Sequence, residues 1–381
     1  MRQLSIDILR TLAIFSMIQV HFVENLSAEF EGWAGLSGSG AAPVPWWLMT
    51  GLGAPLFTFL SGVSYRLWVT AQEARGRSDI EISKVTIRRG LFLFGLGLIF
   101  NVFIWLPEDI FIWDILTFTG SALIILNCIR RLPSSAPLAL CVVALVISPA
   151  LRSIAGYSGY WEHHYFDYEF TLVDVLLGFI TVGYFPVFPW IIFPLAGFLA
   201  SPFIFQMSQT PCRVLAVPVV VGAALIALSA IGHLGSTYLT FLLPLELQTS
   251  RLTMFPASTH YVLAMIGCIL IALYFCHQAA DGSFRFLDNS SVSVCATTFS
   301  SHSLSIYLLH HIVHIYPLWF YGLITGNEPT AFWQNAMPSS MSLLLAIVFC
   351  VACFFLFRWL DLHGKPTAET AMRWICDCGR C

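Results

Sequence analysis

The sequence predicts an all-α membrane protein, a polytopic bundle of about ten transmembrane helices with both termini in the cytoplasm. Of its 381 residues, 57% are hydrophobic and only 10% are charged. A soluble domain of this size needs more polar surface than that composition supplies. The apolar residues also gather into segments long enough to cross a hydrocarbon core of about 30 Å. We therefore exclude a soluble globular protein, and we expect a lipid bilayer as its environment and no nucleic-acid partner.

Ten apolar segments reach that length, and polar connections separate them. In chain order they are residues 6–24, 47–69, 90–106, 110–128, 136–151, 184–205, 213–232, 259–277, 292–318 and 340–360. No connection is long enough to fold alone, so we expect a single membrane domain over residues 1–381. Residues 361–381 are expected to form a short cytoplasmic tail.

The basic residues predict the orientation of the chain. With the N-terminus in the cytoplasm, 16 of the 18 Lys and Arg residues fall on the cytoplasmic side, and only Arg152 and Arg251 fall outside. Cytoplasmic loops of membrane proteins carry such an excess of positive charge. The distribution therefore supports both the number of segments and the orientation.

The first apolar segment, residues 6–24, carries ionisable residues along one helical face. A helix with 3.6 residues per turn aligns four of them on that face: Asp7, Arg10, His21 and Glu24. At a rise of about 1.5 Å per residue, His21 lies roughly 21 Å along the helix axis from Asp7. Because charged residues interrupt the segment, we interpret it as a retained helix and not as a cleaved signal peptide.

Five stretches resemble, in the same order, a family of membrane acyltransferases typified by heparan-α-glucosaminide N-acetyltransferase. They are SIDILRTLAIFSMIQVH at 5–21, WLMTGLGAPLFTFLSGVSYRL at 47–67, RRGLFLFGLGLIFN at 88–101, GYFPVFPWIIFPLAG at 183–197 and SHSLSIYLLHH at 301–311. The last is also similar to the broader acyltransferase-3 group. The resemblance is specific only when the five stretches are taken together, because a single piece such as FLSG recurs in many membrane proteins.

The resemblance implies an acetyl-CoA-dependent N- or O-acetyltransferase. Acetyl-CoA would enter from the cytoplasm, and the acetyl group would reach an amine or hydroxyl of a sugar or glycan on the outer face. The resemblance also implies a bacterial cytoplasmic membrane, and a homodimer is compatible with it. Two positions depart from the family pattern, because Thr11 stands where a glycine usually follows the arginine and Gly51 lies where bacterial relatives often carry a second histidine.

A different class of function uses the same residues. A proton-coupled transporter or permease would relay protons along the ionisable face of the first segment. Such proteins often show corresponding broken helices in two repeated halves. That repeat is not evident in the sequence, so the transporter is the alternative to the acyltransferase.

His21 and Glu24 are the candidate catalytic pair. Acetyl transfer from a thioester needs a base that takes the proton of the nucleophile, and an imidazole suits that role near neutral pH. Glu24, three residues further on, would fix the tautomer of His21 and stabilise its imidazolium form. The alternative is a histidine that hydrogen-bonds to a neighbouring helix. Ionisable groups inside a membrane are costly and usually functional.

Three arginines are candidate ligands for the phosphates of acetyl-CoA: Arg10, Arg88 and Arg89. Guanidinium groups match phosphate oxygens in geometry and charge, and Arg88 and Arg89 adjoin the third apolar segment. An ion pair with Asp7 would explain Arg10 equally well. Positive charge in a cytoplasmic loop would likewise explain Arg88 and Arg89.

Asn101 is the candidate donor to an oxyanion. It ends the third apolar segment on the predicted outer side, and a preorganised amide N–H can stabilise the tetrahedral intermediate of acyl transfer. A hydrogen bond between helices is the alternative.

The ninth segment supplies Tyr307 and His310, which we expect to line the passage of the acceptor or of the pantetheine arm. Tyr307, His310 and His314 share one helical face. A metal site on His310 and His314 would need a third ligand from elsewhere, and the HExxH arrangement is absent from the sequence. We therefore expect no metal cofactor.

Overall fold

The structure, a computed structural model, is helical through most of the chain that it describes. The described residues are 2–27, 44–162, 165–205, 217–238, 252–282 and 290–377. Within these ranges, eight helical stretches are long and apolar enough to cross a membrane. The predicted all-α polytopic bundle is confirmed, while the cytoplasmic placement of both termini stays a prediction.

The helices follow the predicted segments in order. They are α1 (Leu4–Leu26), α2 (Val44–Ala74), α3 (Asp79–Ile104), α4 (Ile115–Ile129), α5 (Ser135–Ala155), α6 (Leu172–Leu177), α7 (Val187–Trp190), α8 (Ile192–Phe205), α9 (Val217–Tyr238), α10 (Thr259–Ala280), α11 (Ser290–Ser301), α12 (Ser303–Ile324), α13 (Ser339–Leu362) and α14 (Ala368–Asp377). A short antiparallel hairpin pairs β1 (Trp161–Glu162) with β2 (Tyr165–Phe166). Eight of the ten predicted segments coincide with the eight membrane-length stretches, and segment 47–69 lies inside α2.

The ninth predicted segment, residues 292–318, is divided between two helices and is not one continuous span. The chain breaks at His302, where φ is −114° and ψ is 24°, so α11 ends and α12 begins anew. The His302 ring lies between two carboxylates, with Nε2 3.1 Å from Oδ1 of Asp361 and Nδ1 3.9 Å from Oε2 of Glu369. These partners are distant in sequence, so the apolar pattern of the segment does not show the break.

The chain forms two compact units. Unit 1 comprises Met1–Ala54 and Cys276–Cys381, and unit 2 comprises Pro55–Phe275. The sequence predicts one domain over residues 1–381, and that stays a prediction.

Unit 1 is built around α1, which packs against α11, α12 and α13. Ile14, Ile18 and Phe22 recur every fourth residue and are each at most 1% exposed. Residues at that spacing form a ridge that fits the groove of a neighbouring helix. The ridge shares one apolar core with Phe299 of α11 and Phe349 of α13. This packing fixes the rotation of α1 about its own axis, and therefore the direction in which its polar residues point.

Unit 2 contains a close crossing of α2 and α8 at two glycines. A Cβ atom on Gly62 would lie 1.9 Å from the carbonyl oxygen of Pro194, and one on Gly197 would lie 2.0 Å from that of Phe59. Real Cβ atoms do not approach backbone oxygens so closely, so only glycine fits at either position. Small residues let helix backbones approach in this way inside membranes. These glycines end FLSG and FPLAG, two of the pieces that carry the family resemblance.

We predict that Gly62→Ala lowers the stability of the protein. The added methyl group must push α2 and α8 apart, and overpacking of this kind costs about 1–3 kcal/mol. Thermal unfolding of the purified protein in detergent measures the loss.

Gly95→Ala is the matched control for this substitution. Gly95 is also inside a helix, α3, but its Cβ would meet no described atom within 4 Å. Alanine has the higher helix propensity, so this variant should melt at the same temperature as the wild type or slightly above it. Equal melting temperatures for Gly62→Ala and Gly95→Ala would contradict the close crossing.

Candidate active site

Four histidines from two helices of unit 1 form a cluster. His21 lies on α1, and the other three lie on α12: His310, His311 and His314. Nδ1 of His21 is 2.8 Å from Nε2 of His310, and these rings are nearly parallel, with centroids 5.1 Å apart. The His311 ring is 4.8 Å from that of His21 and 4.0 Å from that of His310. We call these four residues the histidine cluster.

Burial distinguishes His21 from the rest of the histidine cluster. His310, His311 and His314 are at most 2% exposed, whereas His21 is only partly buried. His21 is therefore the least buried residue of the cluster. The other three histidines are packed behind it, among residues such as Phe22, whose ring centroid is 4.7 Å from that of His314.

A chain of hydrogen bonds fixes the tautomers of His21 and His310. Nδ1 of His310 lies 3.2 Å from the carbonyl oxygen of Ile306, which can only accept, so this nitrogen carries the proton. In the neutral ring Nε2 of His310 is then an acceptor, and it takes its hydrogen bond from Nδ1–H of His21. Nε2 of His21 is left with the lone pair. Nε2 of His21 is therefore the nitrogen that can accept a proton.

A second pair repeats the first one helical turn further on. Nδ1 of His314 donates to the carbonyl oxygen of His310 over 2.5 Å, and its Nε2 accepts from Nδ2 of Asn25 over 2.9 Å. His21 and Asn25 are four residues apart on α1, as His310 and His314 are on α12. Two such pairs hold α1 and α12 in one register, because a slip of either helix would break both bonds.

The partner of His21 differs from the predicted one. The sequence predicted that Glu24 fixes the tautomer of His21, but the structure shows His310 on Nδ1. The reason is a tertiary contact, because α12 packs beside α1 and brings His310 to the ring of His21. Glu24 is partly buried one turn along α1, and its role stays a prediction. His310 is 0% exposed, and Tyr307 is buried with its ring centroid 5.5 Å from that of His310. Their role in lining a passage for the acceptor or the pantetheine arm stays a prediction.

The N-terminus of α1 is capped by a residue from a distant part of the chain. Gln3, at the N-cap position, makes no side-chain hydrogen bond. Instead the Asp281 carboxylate accepts from the backbone N–H groups of Leu4 and Ser5, both over 2.8 Å. Burial raises the pKa of Asp281, but hydrogen bonds from His277, Ser5 and Leu4 outweigh it and lower the pKa to about 2. The ionised carboxylate also interacts favourably with the positive end of the helix dipole.

The N-terminus of α12 is capped in the same way by Glu369 of α14. Its Oε1 accepts from the backbone N–H of Ser305 over 2.9 Å, and its Oε2 accepts from the hydroxyl of Ser305 over 2.7 Å. Burial raises the pKa of Glu369, yet the hydrogen bonds from His302 and Ser305 bring it down to about 2. At the N-terminus of each helix that carries the histidine cluster, backbone N–H groups thus donate to a carboxylate from elsewhere in unit 1.

At the start of α1, Asp7 is the centre of a polar network. Its carboxylate pairs with Arg2 and accepts a hydrogen bond from the hydroxyl of Ser300 over 2.6 Å. Nη1 of Arg10 donates to the same hydroxyl over 3.0 Å. Arg10 is therefore tied to α11 through Ser300, while its role toward acetyl-CoA stays a prediction.

The remaining predicted site residues lie in unit 2. Asn101 is fully buried and donates from Nδ2 to the carbonyl oxygen of Ile110 over 3.2 Å. This hydrogen bond fits the alternative of a structural contact, and the role of Asn101 as an oxyanion donor stays a prediction. Arg88 is exposed on α3. The guanidinium carbon of Arg89 lies 5.2 Å from the centre of the Trp68 ring, a cation–π contact that orients this side chain.

Sequence reasoning did not identify the capping residues Asp281 and Glu369, or the pairing of Asn25 with His314. A signal for the pairing exists, because polar residues recur four apart on both α1 and α12. No local signal marks either cap, since Asp281 is 277 residues from Leu4 and Glu369 is 64 residues from Ser305.

Residues 2–243 match the protein family described as heparan-alpha-glucosaminide N-acetyltransferase, catalytic. The matched range contains His21, Arg88 and Asn101, and it ends before α12 with His310. A comparison with individual curated proteins finds no match.

We predict that Glu369→Gln destabilises the protein at neutral pH and that the difference from wild type disappears in acid. Glu369 keeps its charge down to about pH 2 when folded, whereas an unfolded glutamate protonates near pH 4.3. Its contribution, on the order of 3 kcal/mol, is therefore complete above about pH 4.3 and lost as the pH falls toward 2. Thermal unfolding in detergent over this pH range measures it.

Glu328→Gln is the control for loss of a negative charge, because Glu328 is exposed. It should shift the melting temperature little at any pH. If the melting temperatures of Glu369→Gln and wild type differed equally at pH 3 and pH 7, the capping role of Glu369 would be wrong.

Proposed function

Since the chain belongs to the heparan-alpha-glucosaminide N-acetyltransferase catalytic family, we propose that it transfers the acetyl group of acetyl-CoA to an amine or hydroxyl of a sugar or glycan. The family and the eight apolar stretches make it an integral multi-pass membrane protein of an acetyltransferase family. The same match does not favour a transporter. The donor, the glycan acceptor and the transfer to the outer face of a bacterial cytoplasmic membrane are parts of the proposal.

The observation that carries the proposal is the 2.8 Å contact between Nδ1 of His21 and Nε2 of His310. Since Nδ1 donates in this contact, Nε2 of His21 carries the lone pair. It accepts the proton of the acceptor amine or hydroxyl as that group attacks the thioester carbonyl. The C–S bond then breaks, and the thiolate of CoA takes the proton from the imidazolium. The amide or ester of the acceptor and free CoA are the products. The same lone pair would also serve if His21 first carried the acetyl group itself.

His310 supports this step as a positioning residue. When His21 becomes an imidazolium, its Nδ1–H donates to Nε2 of His310, and hydrogen bonds from charged donors are stronger than neutral ones. The Ile306 carbonyl holds the His310 ring in the accepting tautomer. His21 therefore keeps its Nε2 available for the proton through each cycle.

Arg88 and Arg89 are proposed to bind the phosphates of acetyl-CoA. Lys84 and Arg88 lie four residues apart on α3, so two exposed cations share one helical face. Arg130 and Arg131 are engaged with Asp79 of the same unit. The exposed cations of α3 lie on the predicted cytoplasmic side, where acetyl-CoA would bind.

We predict that His21→Ala abolishes acetyl transfer while acetyl-CoA still raises the melting temperature. Loss of a general base typically costs 10²–10⁴-fold in rate, about 3–5 kcal/mol of transition-state stabilisation. Transfer of labelled acetyl groups to a panel of amino and hydroxyl sugars measures the activity.

Two further variants separate donor binding from chemistry. Arg88→Ala should lose most of the thermal stabilisation by acetyl-CoA, and His363→Ala, an exposed histidine of unit 1, should behave as wild type. Undiminished transfer by His21→Ala would overturn the proposal, as would solute flux by the wild type without any dependence on acetyl-CoA.

We predict that His310→Leu lowers kcat more than His310→Gln does. Glutamine can place its carbonyl oxygen near the position of Nε2 and accept from His21, whereas leucine cannot. The Leu variant should also shift the pH profile of kcat, because the imidazolium of His21 loses its acceptor. Equal kcat and an unshifted pH profile in both variants would show that His310 has only a packing role.

A further inference from the structure

We propose that His21, His310 and His311 bind a divalent transition-metal ion of the Zn²⁺ type, and that the bound ion inhibits acetyl transfer by removing the base. The binding half of this inference is independent of the proposed function, and the inhibitory half rests on it. The family match ends at residue 243, so it assigns nothing to His310 and His311 of α12.

The geometry of the three ring nitrogens supports a metal site. Each of these histidines offers one ring nitrogen, and the three nitrogens lie within 4.8 Å of one another. In a tetrahedral zinc site with Zn–N distances of about 2.0–2.1 Å, the nitrogens are roughly 3.3 Å apart. Nδ1 of His21 and Nε2 of His310 are 2.8 Å apart. A small increase in that distance brings them to the spacing of zinc ligands. A rotation of the His311 ring toward the other two nitrogens completes the set.

The surroundings suit a neutral imidazole donor set. Nδ1 of His310 is held by the Ile306 carbonyl, which directs Nε2 into the cluster, as backbone carbonyls do for the histidine ligands of zinc. Neutral imidazoles favour Zn²⁺, Cu²⁺ and Ni²⁺ over Mg²⁺ and Ca²⁺. His21 is partly exposed, so the ion has access from its side and a water can take the fourth position.

His314 does not belong to the ligand set, although it is the nearest further histidine. Its Nδ1 donates to the carbonyl oxygen of His310, and its Nε2 accepts from Asn25. Both ring nitrogens are therefore committed to α1 and α12. This makes His314 a matched control within the same helix.

Inhibition follows from the chemistry of a single imidazole. A neutral ring has one nitrogen with a lone pair and one that carries the proton. If the ion binds Nε2 of His21, the lone pair is used. If it binds Nδ1, the proton resides on Nε2. In either case Nε2 of His21 no longer accepts the proton of the acceptor, so the ion and the reaction compete for the same residue.

The test is a titration of the purified full chain in detergent with Zn²⁺, in which calorimetry measures the binding. A parallel titration with Co²⁺ gives a spectroscopic readout. The affinity tag should contain no histidine. We expect wild type and His314→Leu to bind one more ion than His311→Leu, with the visible absorption of tetrahedral Co²⁺. Loss of one ligand should weaken that site at least about tenfold. The eleven cysteines are present in every variant, so the difference between variants isolates the histidine site.

His21→Ala provides a second ligand variant in case His311→Leu fails to fold, because His21 lies on another helix and is only partly buried. It should lose the same site. In transfer assays, Zn²⁺ should inhibit wild type and His314→Leu at concentrations at least about tenfold below those needed for His311→Leu, each variant being compared with its own rate without metal.

Equal Zn²⁺ affinity in wild type, His311→Leu and His21→Ala would overturn the inference, as would loss of the site in His314→Leu alone. Acetyl transfer that Zn²⁺ does not inhibit would overturn it while leaving the proposed function intact. Zn²⁺ binding at this site by a protein that transfers no acetyl group would support the metal site and overturn the proposed function.

Discussion

The hydrogen bond between His21 and His310 is the interaction on which the candidate site depends. A buried imidazole must satisfy both of its ring nitrogens, because a buried polar group without a partner costs about 1–3 kcal/mol. His310 meets this requirement with the Ile306 carbonyl on one side and His21 on the other. His21 is only partly buried, and its Nδ1 has His310 as its partner. The packing of α12 thus decides which nitrogen of His21 remains a base.

The rest of unit 1 holds this bond in place. The ridge of Ile14, Ile18 and Phe22 sets the rotation of α1, and the pairing of Asn25 with His314 sets its register against α12. Asp281 and Glu369 then satisfy the N–H groups at the start of the two helices. Orientation, register and helix ends are each fixed by a different kind of contact. The same residues also explain why three imidazole nitrogens lie close enough to share an ion.

The sequence was sufficient for features that depend on neighbours in the chain. Segment lengths gave the helical bundle, and the spacing of Asp7, Arg10 and His21 placed them on one face of α1. Features that depend on distant residues were out of reach. The ring of His302, at the break between α11 and α12, contacts Asp361 and Glu369, which are distant in the sequence. The partner of His21 depends on how α12 packs against α1. The glycine of FLSG was recognised as part of a motif, but its close contact with Pro194 required the crossing of α2 with α8.

The distant caps have a consequence for biosynthesis. The ribosome makes α1 first, yet the carboxylate that caps it is at position 281, the partner of its histidine is at 310, and the cap of α12 is at 369. A nascent chain that has reached the end of unit 2 therefore contains His21 but none of the groups that orient it. The contacts of His21 are completed only when the last third of the polypeptide is inserted, so an incompletely translated chain is expected to lack the proposed activity.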